Sequence, residues 1–298
     1  MTITEDWFGE ETAVTERLRR RQERDDRRSG QVRRRRRAAA LVLGIVLVLA
    51  AVAAALAYRH FHREAPPPPP VLKTVTVTIP EGYSRAQAAE VAREAGLKGS
   101  YLKASQGHEG FLFPDTFELE KGAPAADLVR LQLEDFKRRI AGVDMGYARS
   151  KNLTTRDVVT IASMIEREAQ LEKERPLIAA VIYNRLHEGM PLGIDATIRF
   201  ATGNYDQPLT ESELAVDSPY NTRLNAGLPP GPIGSPGLAS IEAAAHPAHV
   251  GYLYYVVKPG ACGEHAFSSS AAEFEADVAA YDEARQAAGG ESPDSCGG

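Results

Sequence analysis

A chain of 298 residues, 43% of them hydrophobic, is long enough to bury one or two real cores, which excludes a wholly disordered tether. Its net charge of −5 is unevenly spread: residues 1–37 carry 12 Lys/Arg against 8 Asp/Glu, and the remainder 23 against 32. The basic residues end in the run Arg33–Arg37 and apolar sequence begins at once, so the run reads as a topology signal and not as a nucleic-acid site.

In chain order, residues 1–37 read as a charged, flexible cytoplasmic tail with a short helix around Thr15–Arg28. Ala38 to Tyr58 then gives 21 residues without a charge, a helix of roughly 30 Å, which matches the hydrocarbon thickness of a bilayer. A buried core helix is a poor rival, because such helices are rarely apolar all round. A cleaved signal peptide has a shorter apolar region nearer the N-terminus. The expectation is therefore a single-pass protein of the cell membrane, anchored through Ala38–Tyr58, with the N-terminus cytoplasmic and everything later outside.

Residues 59–71 contain five consecutive prolines and read as an extended spacer. LKTVTVTI, residues 72–79, alternates like a strand and stops at Pro80. Ser84 and Gln87 form a capping-box pattern ahead of AAEVAREAG, with Gly96 as the helix stop. The unit 72–108 is thus a strand–helix segment too small to fold without docking. Residues 109–288 read as one larger domain and 289–298 as a tail. Within it, helices are expected over Ala125–Ile140, from Thr154 through VVTIASMIEREAQ, and over Pro176–His187. AGLPPGPIGSPG, residues 226–237, has eight Gly or Pro in twelve positions and can be neither helix nor central strand. A helix from about Ser235 to Pro247, the apolar strand GYLYYVVK and a closing helix Ser270–Ala287 follow. Helices and strands mix without a βαβ rhythm, so the fold class is α+β.

Glu166 and Glu168 pose the sharpest question. At 100° per residue, Glu168 falls within the apolar stripe of Val158, Ile161, Met164 and Ile165, and Glu166 lies roughly 140° from Ile161, on the outer face. A carboxyl on an apolar face must be paired, or kept protonated, or line a cleft, and a raised pKa makes it a general acid near neutral pH. A helix-end glutamate that merely snorkels or pairs with a nearby cation is the plainer alternative. His246 and His265, the latter in an expected turn, lack metal-ligand spacing. Ser163 sits mid-helix without a nucleophile elbow, which speaks against a serine hydrolase. Cys262 and Cys296 are the only cysteines; outside the cytoplasm they permit one disulfide pinning the tail, and two unpaired thiols remain the alternative.

Several stretches resemble, in order, the endolytic murein transglycosylase (YceG-like) family: IPEGYS at 79–84, EGFLFPDTF at 109–117, ASMIEREA at 162–169, VIYNRL at 181–186, PLGIDATIRF at 191–200, SPYNT at 218–222, GLPPGPIGSPG at 227–237, AAAHPA at 243–248 and YLYYV at 252–256. The resemblance spans about residues 72–275. It implies a membrane-anchored α+β enzyme with a shortened LysM-like segment before the YceG-like catalytic domain. The implied reaction cleaves the MurNAc-β-1,4-GlcNAc bond of peptidoglycan without water, leaving 1,6-anhydro-MurNAc ends and terminating glycan elongation. The family's catalytic glutamate falls on Glu168, and no metal or cofactor is implied. Asp195 and Thr197 would bind sugar or fix their loop. Tyr220, Asn221 and Asn184 would line the cleft with Arg185, Glu109 and Asp115 would secure the domain junction, and residues 229–236 would form a rigid cleft wall. Partners would be glycan strands and cell-wall synthases of elongation or division, with no nucleic acid. The rival function is a non-catalytic peptidoglycan-binding scaffold that recruits synthesis proteins. Two positions depart from the family pattern, Gly193 and Ala196, where relatives carry Gln and Pro.

Overall fold

The computed structural model describes residues 6–62, 73–290 and 293. The chain forms two compact units, Met1–Pro70 and Val71–Gly298. The first is one helix, α1, Asp6–Phe61. Its continuity corrects the expectation of a flexible 37-residue tail followed by a separate span. The tail is rich in Arg and Glu and lacks proline, so nothing in it stops a helix that the apolar stretch can propagate. A Glu16–Arg20 pair at 2.8 Å supports the polar half. Residues Gly30–Phe61 are long and apolar enough to cross a membrane, and Leu41, Ile45, Leu49 and Leu56 are all exposed. An apolar helix with its side chains exposed along its length is consistent with a membrane anchor. The proline run lies outside the described residues.

The second unit begins with β1 (Thr74–Thr78), α2 (Arg85–Glu94) and α3 (Tyr101–Ala104), and returns in β2 (Thr116–Glu120). Strands β1 and β2 are antiparallel, with Val77 opposite Phe117 and Val75 opposite Leu119. The expected capping box of Ser84 with Gln87 opens α2. Val77, Ile79, Ala92, Leu97, Tyr101, Phe117, Leu128 and Val129 share one small core. The boundary placed at residue 108 therefore falls inside this core: the segment is closed by a strand and a helix that follow the boundary. TFELE alternates apolar and charged residues, the period-two signal that could have revealed β2.

Helices α4 (Ala125–Ile140), α5 (Gly146–Ser150), α6 (Thr155–Glu168) and α7 (Arg175–His187) follow, with a single 3-10 turn at Glu172–Glu174. Then come α8 (Asp195–Thr202), α9 (Glu211–Leu214), α10 (Leu238–Ala245), the hairpin β3 (Tyr254–Val257) with β4 (His265–Ser268), and α11 (Ala271–Ala287). The architecture is mixed α+β, with two separate two-stranded sheets.

Helix α6 is the hub. Thr154 and Asp157 cap its start reciprocally, and Val158 to Ile165 are buried without a break. Helices α7 and α10 pack against it. The glycine- and proline-rich loop, expected as a cleft wall, is instead interior, since residues 231–237 are all buried. Ile233 enters the main core and its N–H donates to Ser163 Oγ at 3.0 Å. Ser163 is thus a buried latch that also donates to the Thr160 carbonyl, not a nucleophile. The same loop exchanges two backbone hydrogen bonds with IPEGYS, Gly82 N to Ser235 O at 2.8 Å and Ser235 N to Tyr83 O at 2.9 Å. Gly234 permits this approach, because a Cβ there would run into the Gly82 carbonyl.

Candidate active site

Glu168 is the last residue of α6, and Ala169 leaves the helix in extended conformation. The residue is half-buried, and protein atoms crowd its carboxyl. Tyr255 Oη on β3 donates to its Oε2 at 3.1 Å. Burial pushes the Glu168 carboxyl above the usual carboxylate range; the Tyr255 hydroxyl opposes this, Asp195 adds to it, and His265 and the Ala196 amide oppose it. The α6 C-terminus works in the same direction as burial, because its partial negative charge disfavours a carboxylate. Among the described residues no cation lies within ion-pairing distance of Glu168, so nothing clamps it in the charged form.

Glu166 corrects the helical wheel. Its side chain is only 7% exposed, its Oε1 lies 3.4 Å from Arg175 Nη2, and its Oε2 accepts the Gly237 N–H at 2.9 Å. The wheel assumes one covered face, but α6 is wrapped by α7 and α10. Glu166 is therefore a structural tie between α6 and the start of α10, which leaves Glu168 as the carboxyl without a cationic partner.

The other expected site residues divide. Asp195 opens α8 beside Glu168 and pairs with Arg223, whose Nη2 lies 2.7 Å away, with both side chains half exposed. Thr197 is fully buried; its hydroxyl donates to the Ile194 carbonyl at 2.6 Å and lies 3.0 Å from Thr222 Oγ1, so it fixes the loop and cannot reach a sugar. Asn221 is also fully buried, donating to the Leu214 and Val216 carbonyls and accepting the Arg223 N–H. Asn184 donates to the Val250 and Tyr252 carbonyls, and Arg185 to those of Leu253 and Leu192. These side chains hold the approach to β3, and sequence motifs alone do not separate that role from substrate contact. Tyr220 stays partly exposed against Phe200, at 4.9 Å between ring centroids, and is available for stacking. Glu109 accepts the Arg85 N–H at 3.0 Å, and Asp115 pairs with Arg139 at 2.8 Å, so both act at the junction of the two cores.

Sequence reasoning missed Tyr255 and placed His265 in a turn. His265 instead begins β4 and is buried, its N–H and Nδ1 both bound to the Glu174 carboxylate at 2.8 and 2.7 Å. No group of three or more metal-ligating side chains occurs among the described residues. Cys262 is disulfide-bonded, while Cys296, the other half of the expected pair, lies outside the described residues.

Residues 33–280 match the YceG-like family. The chain belongs to that family. It is 36% identical over 166 residues to an endolytic murein transglycosylase of Bacillus subtilis (strain 168), covering 55% of this chain and 45% of that protein. It is likewise 36% identical over 153 residues to an endolytic murein transglycosylase of Streptococcus pneumoniae (strain R6), covering 50% of this chain and 28% of that one. The matched region thus spans less than half the length of these relatives. A crystal structure of a yceG-like protein from Listeria monocytogenes superposes with a TM-score of 0.61 at 29% identity, covering 67% of this chain and 74% of that chain.

Proposed function

We propose that the protein is a membrane-anchored lytic transglycosylase. It would cut the MurNAc-β-1,4-GlcNAc bond of nascent glycan strands and leave 1,6-anhydro-MurNAc ends, terminating elongation beside the synthases. The observation that supports this reading is the Glu168 carboxyl, desolvated at the end of α6 and lacking an ion-pair partner among the described residues. An ordinary glycosidase needs two carboxyl groups. Here the substrate brings its own nucleophile, so one is sufficient.

Protonated Glu168 gives its proton to the glycosidic oxygen as the C1–O bond breaks, and the bonding pair leaves with the GlcNAc O4. The MurNAc 6-hydroxyl oxygen then bonds to C1, and the Glu168 carboxylate takes up the hydroxyl proton. Acid and base are one group restored at the end of each cycle. The raised pKa suits the first half. Tyr220, with Asp195 and Arg223 at the α8 start, offers stacking and polar contacts for the flanking sugars. Helix α1 would hold this site near the membrane, with the arginine end cytoplasmic.

The test is incubation of the full-length chain, in mild detergent, with un-crosslinked glycan strands, followed by mass spectrometry for 1,6-anhydro ends. Wild-type protein should produce them and Glu168→Gln should not. Equal product from both removes Glu168 from the chemistry, and glycan binding without any product from the wild type favours the scaffold reading.

A further inference from the structure

The β3–β4 hairpin touches the segment after α6 at two places. Tyr255 Oη on β3 reaches Glu168 Oε2 at 3.1 Å. Six residues later in that segment, Glu174 binds His265 on β4 through both carboxylate oxygens. Inside the hairpin the two anchor residues face each other, the His265 ring standing edge-on to the Tyr255 ring with centroids 5.3 Å apart at 86°. Phe267 packs on the same ring at 6.0 Å. A Lys173–Glu264 pair at 3.0 Å adds a third tie. A hairpin tied at both strands to one short segment cannot slide along it, so the phenol oxygen is fixed relative to the end of α6.

We infer that Tyr255 is the positioning residue of Glu168, a role that rests on the reading of Glu168 as the acid–base group. Tyr255 occupies Oε2 as donor and, with the Ala196 amide that also binds this carboxyl, selects one side-chain orientation. The buried Glu174–His265 pair keeps the phenol in place. A hydroxyl that donates to a carboxylate favours its charged form, so Tyr255 also limits how far burial can raise the pKa of Glu168. The phenol itself remains a donor at neutral pH, because burial and Glu168 push its own pKa far up. The other charged groups facing this pair are Asp195 and His265 beside Glu168, and Arg185 and Asp195 beside Tyr255.

The experiment follows the Glu168 carboxyl directly, by carbon-13 NMR titration of the full-length chain in mild detergent, its signal assigned by its loss in Glu168→Gln. Tyr255→Phe should raise the Glu168 pKa by about one pH unit. Incorporation of 3-fluorotyrosine at 255, a stronger donor of nearly the same shape, should lower it. The alkaline limb of the activity profile should move with each, and the Phe variant should lose roughly tenfold in kcat with little change in KM. A packing role alone would not give shifts of opposite sign. An unmoved titration in Tyr255→Phe, or shifts of one sign in both variants, overturns the positioning role while leaving Glu168 as the acid. Full activity in Glu168→Gln instead overturns the functional reading, whatever Tyr255 does to the titration.

Discussion

The two sides of the end of α6 hold carboxyl groups of opposite kind. On one side Glu166 meets a guanidinium and the backbone N–H that opens α10. On the other, Glu168 meets a phenol, with Asp195 and His265 as the charged groups that act on it in opposite directions. Both are largely covered, so burial does not distinguish them; the sign of the partner does. A carboxyl tied to a guanidinium and a backbone N–H serves as structure, and one that burial disfavours as a carboxylate, with no ion-pair partner, suits the acid–base role proposed for it. Two residues of separation suffice because they place the side chains against different neighbours, α10 and the β3–β4 hairpin.

Breaking the reactive side should have the largest effect. Glu168→Gln is expected to lower the rate of anhydro-product formation by roughly 10²–10⁴-fold, the usual contribution of a general acid–base group. The same variant should melt at a higher temperature than the wild type at neutral pH. The reason is that it removes a carboxylate whose ionisation the fold disfavours. Glu166→Ala should behave in the opposite way. It leaves Arg175, already with Nη1 buried and unpartnered, without its counter-charge, at a cost of about 3–5 kcal/mol in denaturant unfolding. Product formation per folded molecule should be retained. A Glu166→Ala protein that is stable but inactive would show the division of labour to be wrong.

Gly234→Ala tests whether the Gly/Pro loop holds the reactive end of α6 in place. Its new methyl would meet the Gly82 carbonyl, a backbone atom that cannot swing aside, so about 1–3 kcal/mol of stability should be lost. Product formation per folded molecule should be retained, as in Glu166→Ala, because the loop's tie to this end of α6 runs through Glu166 at Gly237. A loss per folded molecule would show that the loop also holds Glu168.

Helices α2 and α6 were legible because their starts are written locally: Ser84 with Gln87 and Thr154 with Asp157 each close a capping box. The reasoning that separated Glu168 from Glu166 was partly wrong. The wheel's placing of Glu166 in solvent presumed a one-sided helix, and α6 is covered all round from Val158 to Ile165. The partners of Glu168 were hidden for a different reason. Tyr255 and His265 stand about 90 residues along the chain from Glu168 and Glu174, and no local pattern encodes which strand meets a helix end. Thr197, Asn221 and Asn184 show the converse, since motif membership marked them for substrate while their hydrogen bonds are spent inside the fold.

The smallest effect separates the carboxyl proposed as the acid–base group from a third one, Glu109, to which the proposed reaction gives no step. Burial pushes the Glu109 carboxyl up to about 6, against the Arg85 N–H and guanidinium that pull it down. A carboxyl raised in the folded state supports stability fully below its unfolded value and loses that support as pH rises through the folded one. The wild type should therefore weaken by about 1–2 kcal/mol relative to Glu109→Gln between pH 4.5 and 7, measured by denaturant unfolding at each pH. Glu168 is present in both proteins, so its titration cancels from the difference. Anhydro-product formation by Glu109→Gln should follow the wild-type pH profile. A displaced alkaline limb in that variant would mean that Glu109 contributes to the titration assigned to Glu168, and the contrast between the two sides of α6 would need a third carboxyl.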